Sequence, residues 1–274
     1  MIFLYIVLAL IIIICTWLFF IAPGDDTGME KFKNVRYTHR GLHGTVGYDD
    51  FAAENSLTAF KRAKENGFGI ELDVRVSKDG EVVVFHDSTL DRVTGTEGKV
   101  SELTLAELKT RSLKETADTV PTLREVLELI DGAVPLLIEL KEEGLDHTVS
   151  EKTAELLKDY KGDFIVESFS PFAFGAFKRN LPKVPRGFLG YKHTAKPECR
   201  SFKYRLIQRF FFNFIARPAF IAMYYKTPKL FPMPLVSMLF KTPMIAWTVH
   251  SKEEEIEAYK NGFSGVIFEG YMPD

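Results

Sequence analysis

The pattern of hydrophobic and polar positions divides the chain into two unlike parts. Residues 2–22 form an unbroken apolar run, whereas from Val35 onward short apolar runs alternate with amphipathic stretches. The short runs predict β-strands, and the amphipathic stretches, mostly with Ser or Asp caps and Gly stops, predict helices. The predicted strands are 35–39, 68–74, 82–86, 135–140, 163–168, 184–190, 219–223, 244–249 and 265–269, and the predicted helices include 56–67, 122–130, 146–160 and 251–262.

The alternation of strands and helices predicts a parallel sheet, because each crossover helix returns the chain to the same edge. The turn between 68–74 and 82–86 is too short for such a crossover, so these two runs should form an antiparallel hairpin. With one arm of the hairpin excluded, eight strands remain, which indicates an α/β fold of the (β/α)8 TIM-barrel type. A doubly wound open sheet is the alternative. It ranks second because no Gly-rich phosphate fingerprint follows the first strand.

The apolar run 2–22 is long enough to cross a hydrocarbon core of about 30 Å as a helix, and we interpret it as a single transmembrane anchor. A cleaved signal peptide is the competing interpretation. Against it, no basic segment precedes the run, the run exceeds the usual ~7–15 apolar residues, and no clear small-x-small cleavage site follows it. The predicted organisation is therefore an anchor and linker over 1–28 and a barrel domain over 29–274.

Basic residues lie on one side of this apolar run only. None precedes it, and several follow it within about 20 residues. Because the cytoplasmic flanks of membrane-spanning helices are enriched in Lys and Arg, this asymmetry predicts a single-pass membrane protein with its barrel domain in the cytoplasm. The basic residues are Lys31, Lys33, Arg36 and Arg40.

The composition excludes several classes of protein. Lys and Arg number 35 against 37 Asp and Glu, a net charge of −2, so the chain lacks the basic surplus of a protein that binds nucleic acid. With 46% hydrophobic residues the chain can bury one large core. The two cysteines, Cys15 and Cys199, exclude a disulfide framework and a thiolate zinc site.

Charged side chains cluster at the ends of several predicted strands. Glu71 and Asp73 alternate with apolar residues, so both carboxylates lie on one face of a strand, and Glu139 and Lys141 repeat this spacing. Exposed salt bridges at strand ends would give the same spacing. In a barrel, however, the C-terminal ends of the strands share one mouth. Its polar residues would be His39, Arg40, Glu71, Asp73, His86, Glu139, Lys141, Ser168 and Trp247.

The predicted mouth is rich in oxygen ligands. Three carboxylates and two histidines, with no cysteine, suit a hard divalent cation, Ca²⁺ or Mg²⁺, better than a tetrahedral zinc. Arg40 and Lys141 add positive charge that would bind a phosphate beside the cation. His39 and His86 belong to the residue type that best serves as acid and base near neutral pH.

Seven short motifs follow one another along the chain. They are His39-Arg40-Gly41, Glu54-Asn55-Ser56, Glu71-Leu72-Asp73-Val74, Lys78-Asp79-Gly80, Val83-Val84-Phe85-His86-Asp87, Glu139-Leu140-Lys141 and Ala246-Trp247-Thr248-Val249. In their order and spacing these motifs resemble one known family, the glycerophosphodiester phosphodiesterases, and the resemblance covers about residues 35–270. It implies a TIM barrel, hydrolysis of glycerophosphodiesters to glycerol 3-phosphate and an alcohol, and metal ligation by Glu71, Asp73 and Glu139.

The chain departs from the family pattern at two places near the predicted mouth. His250 stands where Asn is common, and Phe268-Glu269-Gly270 stands where a Thr-Asp pair is usual. Both differences would alter how a substrate fits. Where the motifs match, the resemblance implies acid and base roles for His39 and His86 and contacts with substrate or its phosphate for Arg40, Lys141 and Trp247.

Several alternatives stay open. Glu54 and Asn55 either act at the site or cap the helix that begins near Ser56. The basic and aromatic segment 192–241 either lies on an anionic membrane or contains an ordinary barrel helix. The alternative functions are a phospholipase-like activity on membrane lipids, of lysophospholipase D or C type, and a catalytically silent module that binds head groups.

Overall fold

The computed structural model describes residues 1–25, 27–142, 144, 146–190, 206–207, 209–226 and 233–273. Within this part of the chain, nine strands form one sheet with the order β1-β9-β8-β7-β6-β5-β4-β2-β3, and β1 also pairs with β2. That last pairing closes the sheet into a barrel. The strands are β1 (Arg36–Thr38), β2 (Gly69–Val76), β3 (Val82–Val84), β4 (Leu136–Leu140), β5 (Phe164–Ser168), β6 (Arg186–Gly190), β7 (Phe220–Tyr224), β8 (Met244–Val249) and β9 (Gly265–Phe268).

Eight of these strands run parallel, and β3 is the exception. It pairs antiparallel with β2 through Val74 opposite Val84 and Val76 opposite Val82. The hairpin and the eight-stranded parallel barrel are therefore confirmed, and the open-sheet alternative is wrong because β1 hydrogen-bonds to both β9 and β2.

Helices lie between the barrel strands and begin at the capping residues that the sequence supplies. Ser56 accepts a hydrogen bond from the amide of Ala59, and Thr122 forms a reciprocal capping box with Glu125. The helices are α1 (Ile2–Ile21), α2 (Leu57–Glu65), α3 (Asp91–Thr94), α4 (Leu105–Lys109), α5 (Leu123–Ile130), α6 (Thr148–Leu157), α7 (Gly175–Asn180), α8 (Asn213–Ala216), α9 (Met233–Phe240) and α10 (Lys252–Lys260), with 3-10 helices at Thr27–Phe32 and Val100–Glu102.

The interior of the barrel is a packed core. Tyr37 and Phe220 are fully buried there, and Met29 and Phe32 of the first 3-10 helix join the same cluster. Because this helix directly precedes β1, it covers the N-terminal end of the strands, which we call the floor. The open space of the barrel therefore lies at the opposite end, the mouth.

Helix α1 stands apart from the rest of the fold. It has 20 residues with a mean hydropathy of 3.0, so it is long and apolar enough to cross a membrane. A secretory signal near an N-terminus has the same character. Most of α1 is exposed, and its last turn packs against the barrel at Ile21, which is fully buried.

Candidate active site

The predicted site residues come together at the mouth. A cavity of about 610 Å³ opens there, at the C-terminal ends of the parallel strands. Asp73 does not line this cavity but lies buried beside it, 1% exposed. Seven of the other predicted residues line it, namely His39, Arg40, Glu71, His86, Glu139, Lys141 and Trp247.

Three carboxylates converge on the inner face of β2 and β4. The pleat of β2 turns both Glu71 and Asp73 inward, and Asp73 lies opposite Glu139 in the register of the two strands. One oxygen from each carboxylate lies within 4.8 Å of the others. Since all three groups are buried, ionising them together is unfavourable. Burial and the neighbouring carboxylates raise the pKa of Glu71 well above its ordinary value.

Two cationic side chains partly offset this negative charge. Nζ of Lys141 lies 3.0 Å from Oδ1 of Asp73 and 2.7 Å from Oε1 of Glu139, and Nε of Arg40 lies 3.3 Å from Oδ2 of Asp73. Burial opposes the ionisation of Asp73, but Lys141 and Arg40 outweigh it and hold the pKa of Asp73 well below its ordinary range. For Glu139 burial prevails over Lys141 and raises its pKa to about 7.

The carboxylate cluster fits a hard divalent cation. Oδ1 of Asp73 and Oε1 of Glu139 are buried, and among the described residues they contact the ammonium of Lys141 without a hydrogen bond of good geometry. Lys141 and Arg40 offset two of the three carboxylate charges, and the remaining buried charge is costly unless a further cation balances it. An all-oxygen set of three carboxylates matches Ca²⁺ or Mg²⁺. The residues that could hold the metal are therefore Glu71, Asp73 and Glu139.

The turn after β1 places two predicted site residues, His39 and Arg40, at the mouth. Arg40 has a left-handed φ of 55°, and Gly41 follows with a φ of 81°. A Cβ at Gly41 would lie 2.8 Å from Cβ of Ala59, so this sharp turn requires glycine. In this conformation the amide of Arg40 donates a hydrogen bond to Oε2 of Glu71 at 2.9 Å.

Each of the two mouth histidines contacts a carboxylate through Nδ1. His39 lies 2.7 Å from Oε2 of Glu269, and His86 lies 2.6 Å from Oδ1 of Asp87. The hydrogen bond from His39 lowers the pKa of Glu269 to about 2, so this carboxylate is ionised and Nδ1 of His39 carries the proton. In both rings Nε2 is then the atom left to exchange protons.

Both histidines are neutral at neutral pH in this structure. Burial lowers the pKa of His39, and Glu269 only partly compensates. Burial also lowers the pKa of His86, to about 4, although the charge of Asp73 acts in the opposite direction. A neutral ring with its proton on Nδ1 can accept a proton at Nε2.

A network of ion pairs joins the two histidine-bearing loops. Arg92 contacts Asp87 at 2.6 Å and Glu54 at 2.7 Å, and Nη1 of Arg40 donates to Glu54 at 2.9 Å. Burial would raise the pKa of Glu54, but Arg92 and Arg40 lower it to about 2. The network therefore fixes Asp87, and with it His86, relative to Arg40.

The structure also separates the roles of the Glu54-Asn55-Ser56 motif. Ser56 caps α2, whereas Nδ2 of Asn55 donates to Oδ2 of Asp73 at 2.8 Å. Glu54 accepts the hydrogen bonds from Arg40 and Arg92. Glu54 and Asn55 therefore support the site, and the capping role belongs to Ser56.

One expectation about the mouth is wrong, and it concerns β5. Ser168 does not line the cavity, because its buried hydroxyl donates to the carbonyl of Leu140 at 2.9 Å. Successive residues of a strand point to opposite faces, so its neighbours Glu167 and Phe169 line the cavity instead. Glu167 is 1% exposed, and its Oε2 has no hydrogen-bond partner within the described part of the chain. Burial and Glu139 raise its pKa well above the ordinary value.

The sequence motifs gave no role to Glu269 or His43. Besides its hydrogen bond to His39, Glu269 lies 3.6 Å from Nε2 of His43. His39, His43 and Glu269 thus form a second group of possible metal ligands, partly exposed beside the cavity. The only signal in the sequence was the unusual acid at 269, because the contact with His39 spans 230 residues.

Comparison with known proteins agrees with this geometry. The family model described as glycerophosphoryl diester phosphodiesterase matches residues 39–268. The chain is 34% identical over 249 residues to the glycerophosphodiester phosphodiesterase of Caldanaerobacter subterraneus subsp. tengcongensis, covering 86% of this chain and 93% of that protein. It is 32% identical over 149 residues to a lysophospholipase D of Rattus norvegicus, covering 50% of this chain and 45% of that protein.

A solved structure is similar over almost the whole barrel. The phosphodiesterase of Oleispira antarctica in complex with its product sn-glycerol-3-phosphate matches with a TM-score of 0.70 and 26% identity, covering 88% of this chain and 94% of that chain. The sequence, the fold and the arrangement of charged residues at the mouth agree, and the chain belongs to the glycerophosphoryl diester phosphodiesterase family.

Proposed function

We propose that the protein hydrolyses glycerophosphodiesters to sn-glycerol 3-phosphate and an alcohol, with a divalent cation and two histidines. The observation that carries this proposal is the convergence of three buried carboxylates, two basic side chains and two carboxylate-held histidines on one cavity. The name of the bacterial relative and the product bound to the Oleispira enzyme support the substrate class.

Glu71, Asp73 and Glu139 hold the cation, Ca²⁺ or Mg²⁺. When bound, the cation supplies charge neutralisation and polarises the phosphodiester. The charges of the site fit this assignment, because three ionised carboxylates against Lys141 and Arg40 leave one negative charge. A divalent cation reverses it to one positive charge, and a phosphodiester monoanion then balances that charge.

Arg40 and Lys141 bind the phosphate. Both lie at the edge of the carboxylate cluster and line the cavity. Asp73 and Glu139 keep Lys141 charged despite its burial, since they raise its pKa. A guanidinium and an ammonium that stay ionised at working pH provide the donors that phosphate oxygens accept. Trp247 lines the same cavity and packs edge-on against Phe169, with ring centroids 6.1 Å apart, so it forms an apolar wall beside the substrate.

His39 and His86 transfer the protons of the reaction. One ring, in its neutral form, accepts the proton of the attacking hydroxyl at Nε2. The other ring first takes up a proton from solvent at Nε2, and as an imidazolium it donates that proton to the departing alkoxide. In each ring the carboxylate on Nδ1, Glu269 or Asp87, stabilises the imidazolium form during the transfer.

An assay of product release tests this proposal. Purified protein, stripped of divalent ions and then supplied with Ca²⁺ or Mg²⁺, is incubated with glycerophosphocholine, and glycerol 3-phosphate is measured. We expect release with added metal and none with chelator. Full activity of the stripped protein, or no release with either ion, would contradict the proposal.

A phospholipase-like activity is the second candidate. The similarity to a rat lysophospholipase D and the apolar helix at the N-terminus favour it. Parallel assays with lysophosphatidylcholine separate the two candidates, because only the second predicts comparable turnover of the lipid. A silent head-group-binding module would bind both compounds and release no product.

For its location, we propose a single-pass membrane protein with residues 2–22 across the bilayer and the barrel, from residue 29 onward, in the cytoplasm. The support is the length of α1 and the basic residues that follow it. A C-terminal fusion to green fluorescent protein should fluoresce, whereas a fusion to alkaline phosphatase should be inactive. The reverse result would place the barrel on the other side.

A further inference from the structure

The barrel supplies hydrogen-bond donors to the C-terminal end of α1. The last carbonyls of a helix have no partner within the helix. Here Nδ2 of Asn213 donates to the carbonyl of Ile21 at 2.9 Å, and Nη1 of Arg217 donates to the carbonyl of Ala22 at 3.1 Å. Asn213 is itself 1% exposed, so its side chain is committed to this contact.

Aromatic rings join the same two elements. Phe20 stacks on Phe211 with centroids 4.6 Å apart and meets Phe214 edge-on at 4.9 Å. The guanidinium of Arg217 lies 4.7 Å from the ring centre of Phe19. Aromatic pairs in these geometries stabilise a contact beyond the effect of their buried area. The last turn of α1 is therefore packed onto the segment 210–217 and is not merely tethered to it.

The linker after α1 is also fixed. The amide of Gly24 donates to the carbonyl of Pro218 at 2.8 Å. A Cβ at Gly24 would overlap the carbonyl oxygen of Arg217, so any larger residue must separate the two backbones. Because Pro218 lies two residues before the first residue of β7, this contact lies at the floor end of the barrel, away from the cavity.

The rest of α1 exposes apolar side chains. Ile11, Ile12 and Ile13 are 50, 64 and 63% exposed. The 20 residues of α1 span about 30 Å at about 1.5 Å per residue, the thickness of a hydrocarbon core, so the last turn of the helix lies at its edge. Trp17, Phe19 and Phe20 would then lie where aromatic residues concentrate, at the boundary between lipid and water.

We propose that α1 is retained in the mature protein and that its docked last turn holds the barrel in one orientation against a bilayer. Five aromatic residues at this junction, which we call the aromatic collar, lie at the lipid head groups. They are Trp17, Phe19, Phe20, Phe211 and Phe214. A cleaved signal peptide would instead leave Phe211 and Phe214 uncovered and the amide of Asn213 without its acceptor.

The first test is the intact mass of the full chain extracted from cell membranes. The expected mass includes residues 1–22. A mature chain that begins after Ala22 would overturn the proposal, whatever the activity of the protein.

The second test undocks the helix without removing it. In full-length protein in vesicles of phosphatidylcholine and phosphatidylglycerol, Gly24→Ala should speed tryptic cleavage after Lys31 and Lys33 at least about tenfold, because local opening becomes easier. Gly175→Ala is the matched control, since its Cβ would meet only the flexible end of Arg179, at 3.4 Å. Phe20→Ala, which leaves the barrel core intact, should act like Gly24→Ala. Unchanged cleavage in both variants would overturn the docking.

The third test locates the aromatic collar. The chain has two tryptophans, Trp17 and Trp247, so Trp247→Phe leaves Trp17 as the only reporter. Its fluorescence should be quenched more by lipids brominated near the head group than by lipids brominated near the end of the acyl chain. Stronger quenching by the deep label, or no quenching at all, would overturn the proposed position.

Discussion

The two halves of the barrel mouth differ in chemistry. From β1 to β5 the cavity is lined by charged and titratable groups, among them Arg40, Glu71, His86 and Lys141. From β6 to β9 the described residues that line it are apolar or aromatic, namely Leu189, Trp247 and Ile267. The charged half must keep its atoms within hydrogen-bonding distance of one another, whereas an apolar wall tolerates changes of shape. We infer that the first half carries the reaction and the second half fits the substrate.

The metal ligands should give the largest effect in the charged half. Glu71→Gln removes one carboxylate charge and one ligand at nearly constant volume, so it should abolish measurable turnover while the fold persists. Calorimetry should show loss of Ca²⁺ or Mg²⁺ binding by the same variant. Ser168→Ala, next to the cavity but pointing away from it, is the control and should retain metal binding. Wild-type turnover by Glu71→Gln would remove Glu71 from the metal site.

Substitution of the two mouth histidines should give the second-largest loss of activity. His39→Ala and His86→Ala should each lower kcat by about 10²–10⁴-fold, because each removes a proton-transfer group. The KM should change little, since the phosphate contacts remain. Steady-state kinetics on glycerophosphocholine measure both constants, and a near wild-type kcat in either variant would refute the assignment for that residue.

The crowding of carboxylates predicts a pH-dependent stability in the absence of metal. The pKa of Glu139 rises from 4.5 to about 7 on folding, so its contribution to stability is present below pH 4.5 and is lost as the pH rises through about 7. The loss is on the order of 3 kcal/mol. The raised pKa values of Glu71 and Glu167 act in the same direction as Glu139, and the lowered pKa values of His39 and His86 act against it between pH 5 and pH 8.

The contribution of Glu139 is measured as a difference between variant and wild type, because the other titrating groups are common to both proteins. In thermal melts with chelator, Glu139→Gln should raise Tm relative to the wild type more at pH 8 than at pH 5. In the wild type, saturating Ca²⁺ or Mg²⁺ should raise Tm more at pH 8 than at pH 5, because metal binding favours ionised ligands. An equal difference between variant and wild type at both pH values would show that burial of Glu139 does not control stability in this range.

A smaller effect is expected at the contact that links the two halves. Glu269, at the end of β9, holds His39 of the charged half. Glu269→Gln should lower kcat at least about tenfold with little change in KM, because the amide cannot stabilise an imidazolium. Since Glu269 raises the pKa of His39, its loss should also move the acid limb of the pH profile to lower pH. Glu269→Asp should restore part of the activity, and an unshifted limb would argue against this role.

The smallest effect should come from the apolar half. Trp247→Phe keeps an aromatic ring against Phe169, whereas Trp247→Ala removes a pair worth about 0.5–1.5 kcal/mol. We expect KM to rise by about two- to tenfold in the alanine variant, with kcat nearly unchanged. Measured over several diesters, the change should depend on the alcohol released. A large, uniform loss of kcat would mean that the apolar half also takes part in the chemistry.

The sequence predicted the charged half better than the apolar half for a physical reason. The i, i+2 spacing of Glu71 and Asp73 encodes a shared face directly, and the register of β2 and β4 then brings in Glu139. The prediction was wrong by one residue at β5, where Glu167 and not Ser168 lines the cavity. When both faces of a strand are covered, its sequence does not alternate between polar and apolar residues, and it does not show which residues face the cavity.

Long-range contacts and short helices were beyond the sequence patterns. The pairing of His39 with Glu269 depends on closure of the barrel, which no local pattern contains. Helices α3, α7 and α8, of four to six residues, are too short to show a hydrophobic period. Of the basic and aromatic segment 192–241, the stretches 192–205, 208 and 227–232 lie outside the described residues, and its described part holds α8, β7 and α9.

The closure of the barrel also sets when the enzyme can begin to work. Strand β1 hydrogen-bonds to β9, so the first and last strands of the domain complete each other. The contact between His39 and Glu269 forms across that seam. A growing chain therefore cannot assemble its first histidine until ribosomes have released the last strand. We therefore expect copies that end before β9 to lose most of their activity, even when Glu71, Asp73 and Glu139 are already present.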